Sequence, residues 1–304
     1  MKDSNNYFDV IIIGGSYAGL SAALALGRAL RQVLLIDSGL PCNWQTPHSH
    51  NFITQDGAAP AAIAAKAKAQ VLQYKTVTYM QDEAVSGKLI GNGFVITTGR
   101  GSAFECQKLL FATGVKDLMP ELGGFSECWG ISLIHCPYCH GYEVKNEKTG
   151  ILANGADALH YAQLISNWTK DLTIFTNGSS LLTAEQTEKI TRHHISIVEK
   201  EIAFLEHENG HLRHIVFKDN SRFALAVLYS RPAMQQHCHI PEMLGCELTE
   251  QGLIKVDAFQ KTTVANVFAC GDNSNPMRAV AQAVAAGNLA GAVISNGISE
   301  EDFN

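Results

Sequence analysis

Apolar and polar positions along the first forty residues predict a β-strand, a helix and a second β-strand. FDVIII and QVLLID are continuous apolar runs of the kind that form buried parallel strands. Between them, GGSYAG supplies a glycine turn and LSAALALGRAL an apolar segment long enough for a helix. This order predicts a βαβ unit, in which the first strand leads through the turn into the helix.

The same order of elements recurs in the middle of the chain. TGILANG, ADALHYAQLISNW and DLTIFTNG repeat strand, turn, helix and strand between residues 149 and 178. Two further apolar strands, KLLFATGV and VANVFACGDN, lie on either side of this repeat. The pattern predicts an α/β fold with two Rossmann-like nucleotide-binding domains, the second inserted into the first.

The first glycine turn carries a dinucleotide-binding pattern. Gly14, Ser16 and Gly19 stand at the spacing of the fingerprint, with Ser16 in place of the middle glycine. Asp37 closes the second strand, where a carboxylate accepts a hydrogen bond from a ribose hydroxyl. The helix that follows the turn is then expected to direct its N-terminus at a pyrophosphate.

Two distant strands are expected to complete this nucleotide site. One ends in Thr113 and Gly114, and the other ends in Gly271 and Asp272. Glycine at the carboxyl end of a strand permits close approach of a ligand. Asp272 is expected to bind the hydroxyls of a sugar or ribityl chain, and its simpler role is to cap the next helix, which should start near Met277; the two roles can coexist.

The turn of the second βαβ unit departs from the fingerprint. It reads Ala153, Asn154 and Gly155, and the strand after it ends at residues 176–178 without an acidic residue or an arginine. Nothing there pairs with a ribose 2′-hydroxyl or a 2′-phosphate. We therefore expect a nicotinamide dinucleotide to bind this unit poorly.

Composition and charge narrow the class of protein. The 304 residues are 46% apolar and 17% charged, which suits a globular chain with two domains. Acidic residues outnumber basic ones by 29 to 23, which argues against a nucleic-acid partner. The N-terminal segment lacks the features of a signal peptide and no stretch is long enough to span a membrane, so a cytoplasmic protein is predicted.

One cysteine pair stands apart from the other cysteines. HCPYCHGYE places Cys136 and Cys139 two residues apart, and such a pair forms half of a zinc site, a redox-active dithiol or two buried thiols. There is no second CxxC and no HxxxH after a finger-length gap to supply the missing zinc ligands, and His135 and His140 are too close in sequence to complete a site unaided. Proline inside a CxxC at the start of a helical turn lowers a thiolate pKa from about 8.5 toward neutrality. The pair therefore indicates a catalytic dithiol and no metal site. Simple burial explains five isolated cysteines well: Cys106, Cys128, Cys238, Cys246 and Cys270.

Taken in order, GGSYAG, Asp37, FATG, CPYC and FACGD resemble the low-molecular-weight thioredoxin reductases, which belong to the FAD-dependent pyridine nucleotide-disulfide oxidoreductases. The resemblance covers nearly the whole chain. It implies a homodimer, an FAD-binding domain at residues 1–118 and 236–304, and an inserted NAD(P)H-binding-like domain at 119–235 that carries the dithiol. It also implies FAD contacts at Gly14, Ser16, Gly19, Asp37, Thr113, Gly114, Gly271, Asp272, Arg278, Ala279 and Val280.

Two departures from typical members of that family bear on function. The inserted domain lacks the intact glycine turn and the basic run of NADPH-dependent members. The residue after Cys139 is His140, where typical members have an aspartate, and a histidine exchanges a thiol proton near neutral pH. CxxCH and TPHSHNFIT, which contains His48 and His50, are similar to the branch of fungal dithiol oxidases such as gliotoxin sulfhydryl oxidase. Members of that branch pass electrons from a substrate dithiol through FAD to oxygen.

The sequence thus predicts an FAD-dependent thiol–disulfide oxidoreductase that passes electrons between FAD and a substrate dithiol or disulfide. The resemblance implies that Cys136 exchanges with the substrate, that Cys139 faces the flavin and that His140 acts as acid and base. The expected partner is a thioredoxin-like protein or a small-molecule dithiol or disulfide. Two alternatives stay open: an ordinary NAD(P)H-dependent thioredoxin-disulfide reductase, and a non-catalytic flavin redox sensor, against which the CPYC pair argues.

Overall fold

The structure, a computed structural model, describes residues 6–304 and divides into two compact units. The first unit runs through Trp44, resumes over Asn51–Lys116 and ends with Met234–Asn304. The second unit holds Asp117–Ala233 together with the short segment Gln45–His50. The first unit is built on a mixed, mainly parallel sheet and the second on a parallel sheet, each with helices. The prediction of an α/β fold whose second domain is inserted into the first is confirmed.

The elements follow the order that the hydrophobic pattern predicts. The strands are β1 (Tyr7–Ile13), β2 (Val33–Asp37), β3 (Val77–Gln81), β4 (Ala84–Ile90), β5 (Gly93–Thr98), β6 (Ala103–Phe111), β7 (Val115–Leu118), β8 (Leu133–Ile134), β9 (Thr149–Leu152), β10 (Leu172–Phe175), β11 (Ser196–Val198), β12 (Ile202–Glu208), β13 (His211–Phe217), β14 (Arg222–Ala224), β15 (Val227–Ser230), β16 (Ala233–Gln236) and β17 (Val267–Ala269). The helices are α1 (Tyr17–Arg28), α2 (Pro60–Val71), α3 (Phe125–Cys128), α4 (Pro137–His140), α5 (Gly155–Ile165), α6 (Ala184–Arg192), α7 (Ile240–Met243) and α8 (Val280–Phe303).

A seven-stranded sheet forms the centre of the first unit. Its order is β3–β2–β1–β6–β5–β4, with β17 beside the second half of β6. β1, β2, β3, β6 and β17 pair in parallel, whereas β5 runs antiparallel to both of its neighbours, β4 and β6. Side chains of β1 and β2 are buried on both faces of the sheet, as the continuous apolar runs require. Full burial of one such Ile or Leu side chain contributes about 1.5–3 kcal/mol.

Helix α8 closes the first unit by packing along α1. Ser21 of α1 donates its hydroxyl to the backbone oxygen of Val284 at 2.7 Å, and alanines and Ile294 of α8 belong to the same core as α1. Near the end of α8, the Arg31 guanidinium donates to the Ser299 hydroxyl at 2.6 Å, and the buried Lys108 ammonium pairs with Glu301. The C-terminal helix is therefore held to α1, to the turn that follows α1 and to β6.

The second unit has a parallel sheet of five strands and a smaller antiparallel sheet. The parallel order is β11–β10–β9–β15–β8, and the antiparallel sheet is β12–β13–β14. Ile151, Ile174 and Leu228, on the three central strands, are fully buried. Among the described residues, none of the helices has both the length and the apolar character that crossing a bilayer requires.

Candidate functional site

The carboxyl ends of three neighbouring strands bring the predicted nucleotide residues of the first unit to one edge of its sheet. β1 pairs with β6, and β6 pairs with β17, so that Ile13, Phe111 and Ala269 lie side by side. Ligands in doubly wound folds bind outside such carboxyl ends. The turns that follow these strands contain Gly14, Thr113, Gly114, Gly271 and Asp272.

Two of these turns require glycine. Gly14 has a φ of +105° and Gly271 a φ of +89°, which side chains other than glycine rarely adopt. Ser16 precedes α1 as its N-cap, and among the described residues its side chain makes no capping hydrogen bond. The Ser16 side chain therefore does not cap the N-terminus of α1, and Gly19 lies buried inside the helix.

Asp37 is fixed at the end of β2 by two hydrogen bonds. Its Oδ1 accepts from the backbone N–H of Gly15 at 3.1 Å, and its Oδ2 accepts from the Tyr79 hydroxyl at 2.9 Å. Burial, followed by the Asp37 carboxylate, raises the pKa of Tyr79 to about 12, so the phenol stays a donor. Each carboxylate oxygen keeps a lone pair for a ribose hydroxyl. Tyr79 was not identified from sequence, because its contact spans 42 positions.

The Asp272 carboxylate pairs with an arginine and does not cap the next helix. Its Oδ2 accepts from Nε of Arg278 at 3.4 Å. The following helix starts at Val280 rather than near Met277, and its N-cap is Ala279. The capping interpretation of Asp272 is therefore wrong, and its carboxylate instead holds Arg278 close to the start of α8.

Asn273 joins four segments of the same edge and is fully buried. Its Nδ2 donates to the backbone oxygen of Phe111 at 3.0 Å and to the Thr113 hydroxyl at 3.3 Å. Its backbone oxygen accepts from the N–H of Ile254 at 2.8 Å and from Nε2 of Gln236 at 2.9 Å. Sequence analysis missed this residue, since nothing in its local pattern reveals partners up to 162 positions away.

These features fit a bound dinucleotide. The edge offers a helix N-terminus for phosphate, a fixed carboxylate at Asp37 for a ribose, and a second carboxylate at Asp272. A Cβ added at Gly114 would meet no described atom within 4 Å, so the edge is open beside Thr113. The remaining predicted positions lie at the start of α8: Arg278, Ala279 and Val280. Arg278 also lies beside Asp272.

The second unit holds the cysteine pair on a single helical turn. Cys136 and Cys139 form a disulfide with their Cα atoms 5.3 Å apart. Cys136 is the N-cap of α4, and Pro137, with its fixed φ, occupies the first helical position. The N–H of Cys139 donates to Sγ of Cys136 at 3.2 Å, which stabilises negative charge on that sulfur when the disulfide opens.

Aromatic side chains brace this turn. The rings of Tyr138 and Trp168 meet edge to face at 5.6 Å, and the Trp129 indole stacks on His135 at the same centroid distance. Trp129 is itself buried in the core of the unit. The dithiol thus sits on a supported turn and not on a mobile loop end.

His140 lies at the end of the same turn and is partly buried. Its ring contacts that of His50 edge to face, with the centroids 6.5 Å apart. Burial, and then the charge of His50, lowers the pKa of His140, while the Glu143 carboxylate opposes both. The imidazole therefore remains neutral, and able to accept a proton, over a wider pH range than an exposed histidine.

The other cysteines of the described residues form no disulfide. Cys106, Cys128, Cys246 and Cys270 are buried, and Cys238 is partly buried. Burial raises the pKa of Cys106 and of Cys270 to about 12, so these thiols stay protonated. Over residues 6–304, no group of three or more His, Cys, Asp or Glu side chains has the arrangement of a metal site.

The turn that begins α5 is occupied by the chain itself. Oδ1 of Asn154 accepts from the N–H groups of Gly155 at 2.8 Å and Leu181 at 2.7 Å. Nδ2 of the same residue donates to the backbone oxygens of Thr176 at 3.3 Å and Ser179 at 3.0 Å. One side chain therefore ties the loop after β10 to the helix N-terminus at which a Rossmann unit holds a pyrophosphate.

Known proteins are similar to this chain over nearly its full length. The family described as pyridine nucleotide-disulphide oxidoreductase matches residues 8–287. The chain is similar to thioredoxin reductase tcpT of Claviceps purpurea, with 32% identity over 96% of this chain and 94% of that protein. It is also similar to thioredoxin reductase sirT of Leptosphaeria maculans, with 31% identity over 97% and 95% of the two chains.

A solved structure is likewise similar to this chain over nearly its full length. The crystal structure of an oxidoreductase from Agrobacterium tumefaciens is similar with a TM-score of 0.90 and 37% identity, over 97% of this chain and 99% of that chain. Because the family match and these identities cover almost all of the sequence, the relationship extends to both units. The chain therefore belongs to the pyridine nucleotide-disulphide oxidoreductase family as a thioredoxin reductase-like oxidoreductase, a membership that implies a flavin cofactor and a thiol or disulfide substrate.

Proposed function

We propose that this enzyme oxidises a substrate dithiol through the Cys136–Cys139 pair and FAD, and that it has no working NADPH site. FAD binds the discontinuous domain of residues 1–118 and 236–304, and the inserted domain of residues 119–235 carries the dithiol. The substrate is a small-molecule dithiol or a thioredoxin-like protein, and the terminal acceptor is dioxygen. The homodimer and the cytoplasmic location that the sequence predicts belong to this proposal.

The hydrogen bonds of Asn154 are the observation that supports the proposal most. A nicotinamide dinucleotide needs the N-terminus of α5 for its pyrophosphate and a charged or acidic side chain after β10 for its ribose. The Asn154 amide engages the first N–H of α5, and the loop from Thr176 to Leu181 is tied over it. In that loop Asn177 accepts from the N–H of Ile202 at 2.8 Å, so its side chain serves the fold.

The residues of the dithiol turn carry out the exchange. A substrate thiolate attacks Sγ of Cys136, the bond between Cys136 and Cys139 breaks, and Cys139 leaves as a thiolate. The second substrate thiol gives its proton to His140 and attacks the substrate sulfur that is bonded to Cys136. The substrate leaves as a disulfide, and the cysteine pair keeps two electrons. Bound FAD supplies the two-electron acceptor that regenerates the disulfide.

Anaerobic titration of the flavin-loaded protein tests this function. We expect a dithiol such as dithiothreitol to bleach the flavin, whereas NADPH and NADH at the same concentration bleach it slowly or not at all. The reason is that the Asn154 side chain already accepts the first N–H of α5, and residues 176–178 offer no cation for a 2′-phosphate. Flavin absorbance after each addition is the measurement.

The titration also separates the two alternatives. Rapid, stoichiometric bleaching by micromolar NADPH, coupled to reduction of thioredoxin, would contradict the proposal and identify an ordinary NAD(P)H-dependent reductase. If the protein turns over no dithiol, disulfide or reduced nucleotide, the non-catalytic flavin redox sensor is favoured over the oxidase. An assay of dithiothreitol with free FAD alone gives the background rate.

Asn273→Asp is expected to weaken FAD retention by loosening the sheet edge. The change keeps the size of the side chain but removes the donor to Phe111 and Thr113, and it sets a carboxylate against a backbone oxygen. Loss of buried hydrogen-bond partners costs about 1–3 kcal/mol. The free energy of unfolding should fall by about that amount, and fluorescence titration should give a higher Kd for FAD.

The matched control for this prediction is Asn92→Asp, in the exposed turn between β4 and β5. Equal FAD affinity and equal unfolding free energy in the two variants would contradict the role given to Asn273. A loss of FAD affinity without a loss of stability would place Asn273 in direct contact with the cofactor, and the proposed support of the Thr113 turn would then be wrong.

A further inference from the structure

A row of titratable side chains leads from the redox turn toward the surface of the second unit. His140 follows Cys139, and its ring lies 6.5 Å from the ring of His50 in an edge-to-face contact. Nδ1 of His50 is 3.6 Å from Oε1 of Glu143. His50 has 19% of its side chain exposed and Glu143 has 41%, so solvent access increases along the row.

The segment that contains His50 is anchored to this unit. Nε2 of Gln45 donates to the backbone oxygen of Ser126 at 3.3 Å. Thr46 lies against Gly130, where an added Cβ would come within 3.1 Å of its hydroxyl. These contacts fix the segment on the same unit as the dithiol, 90 positions away from His140 in sequence. The position of His50 is therefore a property of the fold and not of a free loop.

We propose that His50 and Glu143 form a proton relay with His140. This inference rests on the proposed function, in which each substrate turnover delivers thiol protons to a group beside Cys139. His140 takes the proton from the thiol and passes it through one bridging water to His50, since ring centroids 6.5 Å apart are too far for a direct hydrogen bond. His50, whose Nδ1 lies 3.6 Å from the Glu143 carboxylate, releases the proton to solvent. No electrons move along the relay, and His140 returns to its neutral form for the next proton.

The electrostatics of the cluster favour proton transfer from His140 toward His50. Burial comes first among the causes that lower the pKa of His140, and the charge of His50 lowers it further. A proton on His140 is therefore held less tightly than on an exposed histidine. Beyond His140, the Glu143 carboxylate lies 3.6 Å from Nδ1 of His50. The other titratable neighbour is His48, whose ring centroid lies 6.4 Å from that of His50. His50 is thus a positioning and relay residue that acts through His140.

The test uses His50→Gln in the flavin-loaded protein, with the exposed His193→Gln at the end of α6 as the matched control. Stopped-flow bleaching by dithiothreitol is followed from acidic to alkaline pH without oxygen. We expect His50→Gln to be slower by about tenfold, less than the 10²–10⁴-fold that general acid–base catalysis contributes. We also expect the acidic limb of the pH–rate profile of this variant to shift to higher pH. The reason is that removing the His50 charge raises the pKa of His140.

Chemical rescue separates a relay from structural support. Imidazole in the buffer should restore the rate of His50→Gln in proportion to its concentration, and it should leave the His193→Gln rate unchanged. Glu143→Gln, which keeps the shape of the side chain, should slow bleaching and should likewise respond to imidazole. An unaltered pH profile in His50→Gln, or a slowed rate that imidazole does not raise, would overturn the relay.

Failure of the relay and failure of the proposed function give different results. Samples quenched with N-ethylmaleimide and weighed by mass spectrometry report the opening of the Cys136–Cys139 disulfide without reference to the flavin. If the wild-type flavin is not bleached by any dithiol, the proposed function is wrong, and the relay is still decided by the labelling rates. If the wild type bleaches and the labelling rate of His50→Gln equals that of His193→Gln, only the relay is wrong.

Discussion

Cys136→Ser should lose turnover of dithiol substrates altogether while it keeps the fold and the bound flavin. Serine cannot form the bond to Cys139 that the substrate thiolate must attack, so no covalent route remains from the substrate to the pair. The serine oxygen can still accept the N–H of Cys139, and the α4 turn therefore keeps its N-cap. Dithiol-dependent oxygen consumption, flavin content and melting temperature are the three measurements.

Cys42→Ser is the control for this loss, because Cys42 is an exposed thiol of the first unit. It should retain wild-type turnover. Residual dithiol oxidation in Cys136→Ser above the rate of free FAD would assign the exchange to another sulfur. Cys139→Ser would then be compared, since its backbone donor to Cys136 is retained in that variant and only the sulfur is lost.

His140→Ala should slow dithiol oxidation by about 10²–10⁴-fold, the contribution typical of a general acid–base group. The neutral imidazole is the active form, so the wild-type rate rises with pH as His140 loses its proton. Because burial lowers the pKa of His140, and His50 lowers it further, this inflection should lie below the ordinary value of 6.5. The variant should lack the inflection, and the pH dependence of flavin bleaching measures it.

His211→Ala, at the exposed start of β13, controls for the loss of a histidine from the same unit. FAD binding and melting temperature should be nearly the same in His140→Ala, His211→Ala and the wild type. An acidic inflection that persists unchanged in His140→Ala would assign the proton transfer to a different group. His48, His50 and His135 are the next histidines to replace in that event.

The elements of the fold could be predicted from sequence because their signals are local. The apolar run of β1, the glycines after it and Asp37 at the end of β2 all lie within forty residues. Steric limits on φ at Gly14 and alternation of strand with helix fix this unit without reference to distant residues. The start of α8 was misplaced, because no polar N-cap marks it: Ala279 precedes the first helical residue.

The contacts that complete each site could not be predicted, since they join residues far apart in sequence. Asn273 reaches Phe111 across 162 positions, and the partners of Asn154 lie after the next strand. The assignment of residues 45–50 to the second unit brings His50 beside His140, although the segment follows the first βαβ unit in sequence. Amides and histidines of this kind have no periodic signal, and only the folded chain reveals what they bond.

The placement of β17 and α8 governs how the protein matures on the ribosome. Domains usually fold in the order in which they are synthesised. Here β17 completes the ladder beside β6, and α8 covers α1, so the N-terminal unit lacks both until residues 267–303 have emerged. The main segment of the second unit, Asp117–Ala233, is translated before them. Each nascent chain therefore carries an uncovered apolar face on α1 throughout most of its synthesis, a natural binding surface for chaperones.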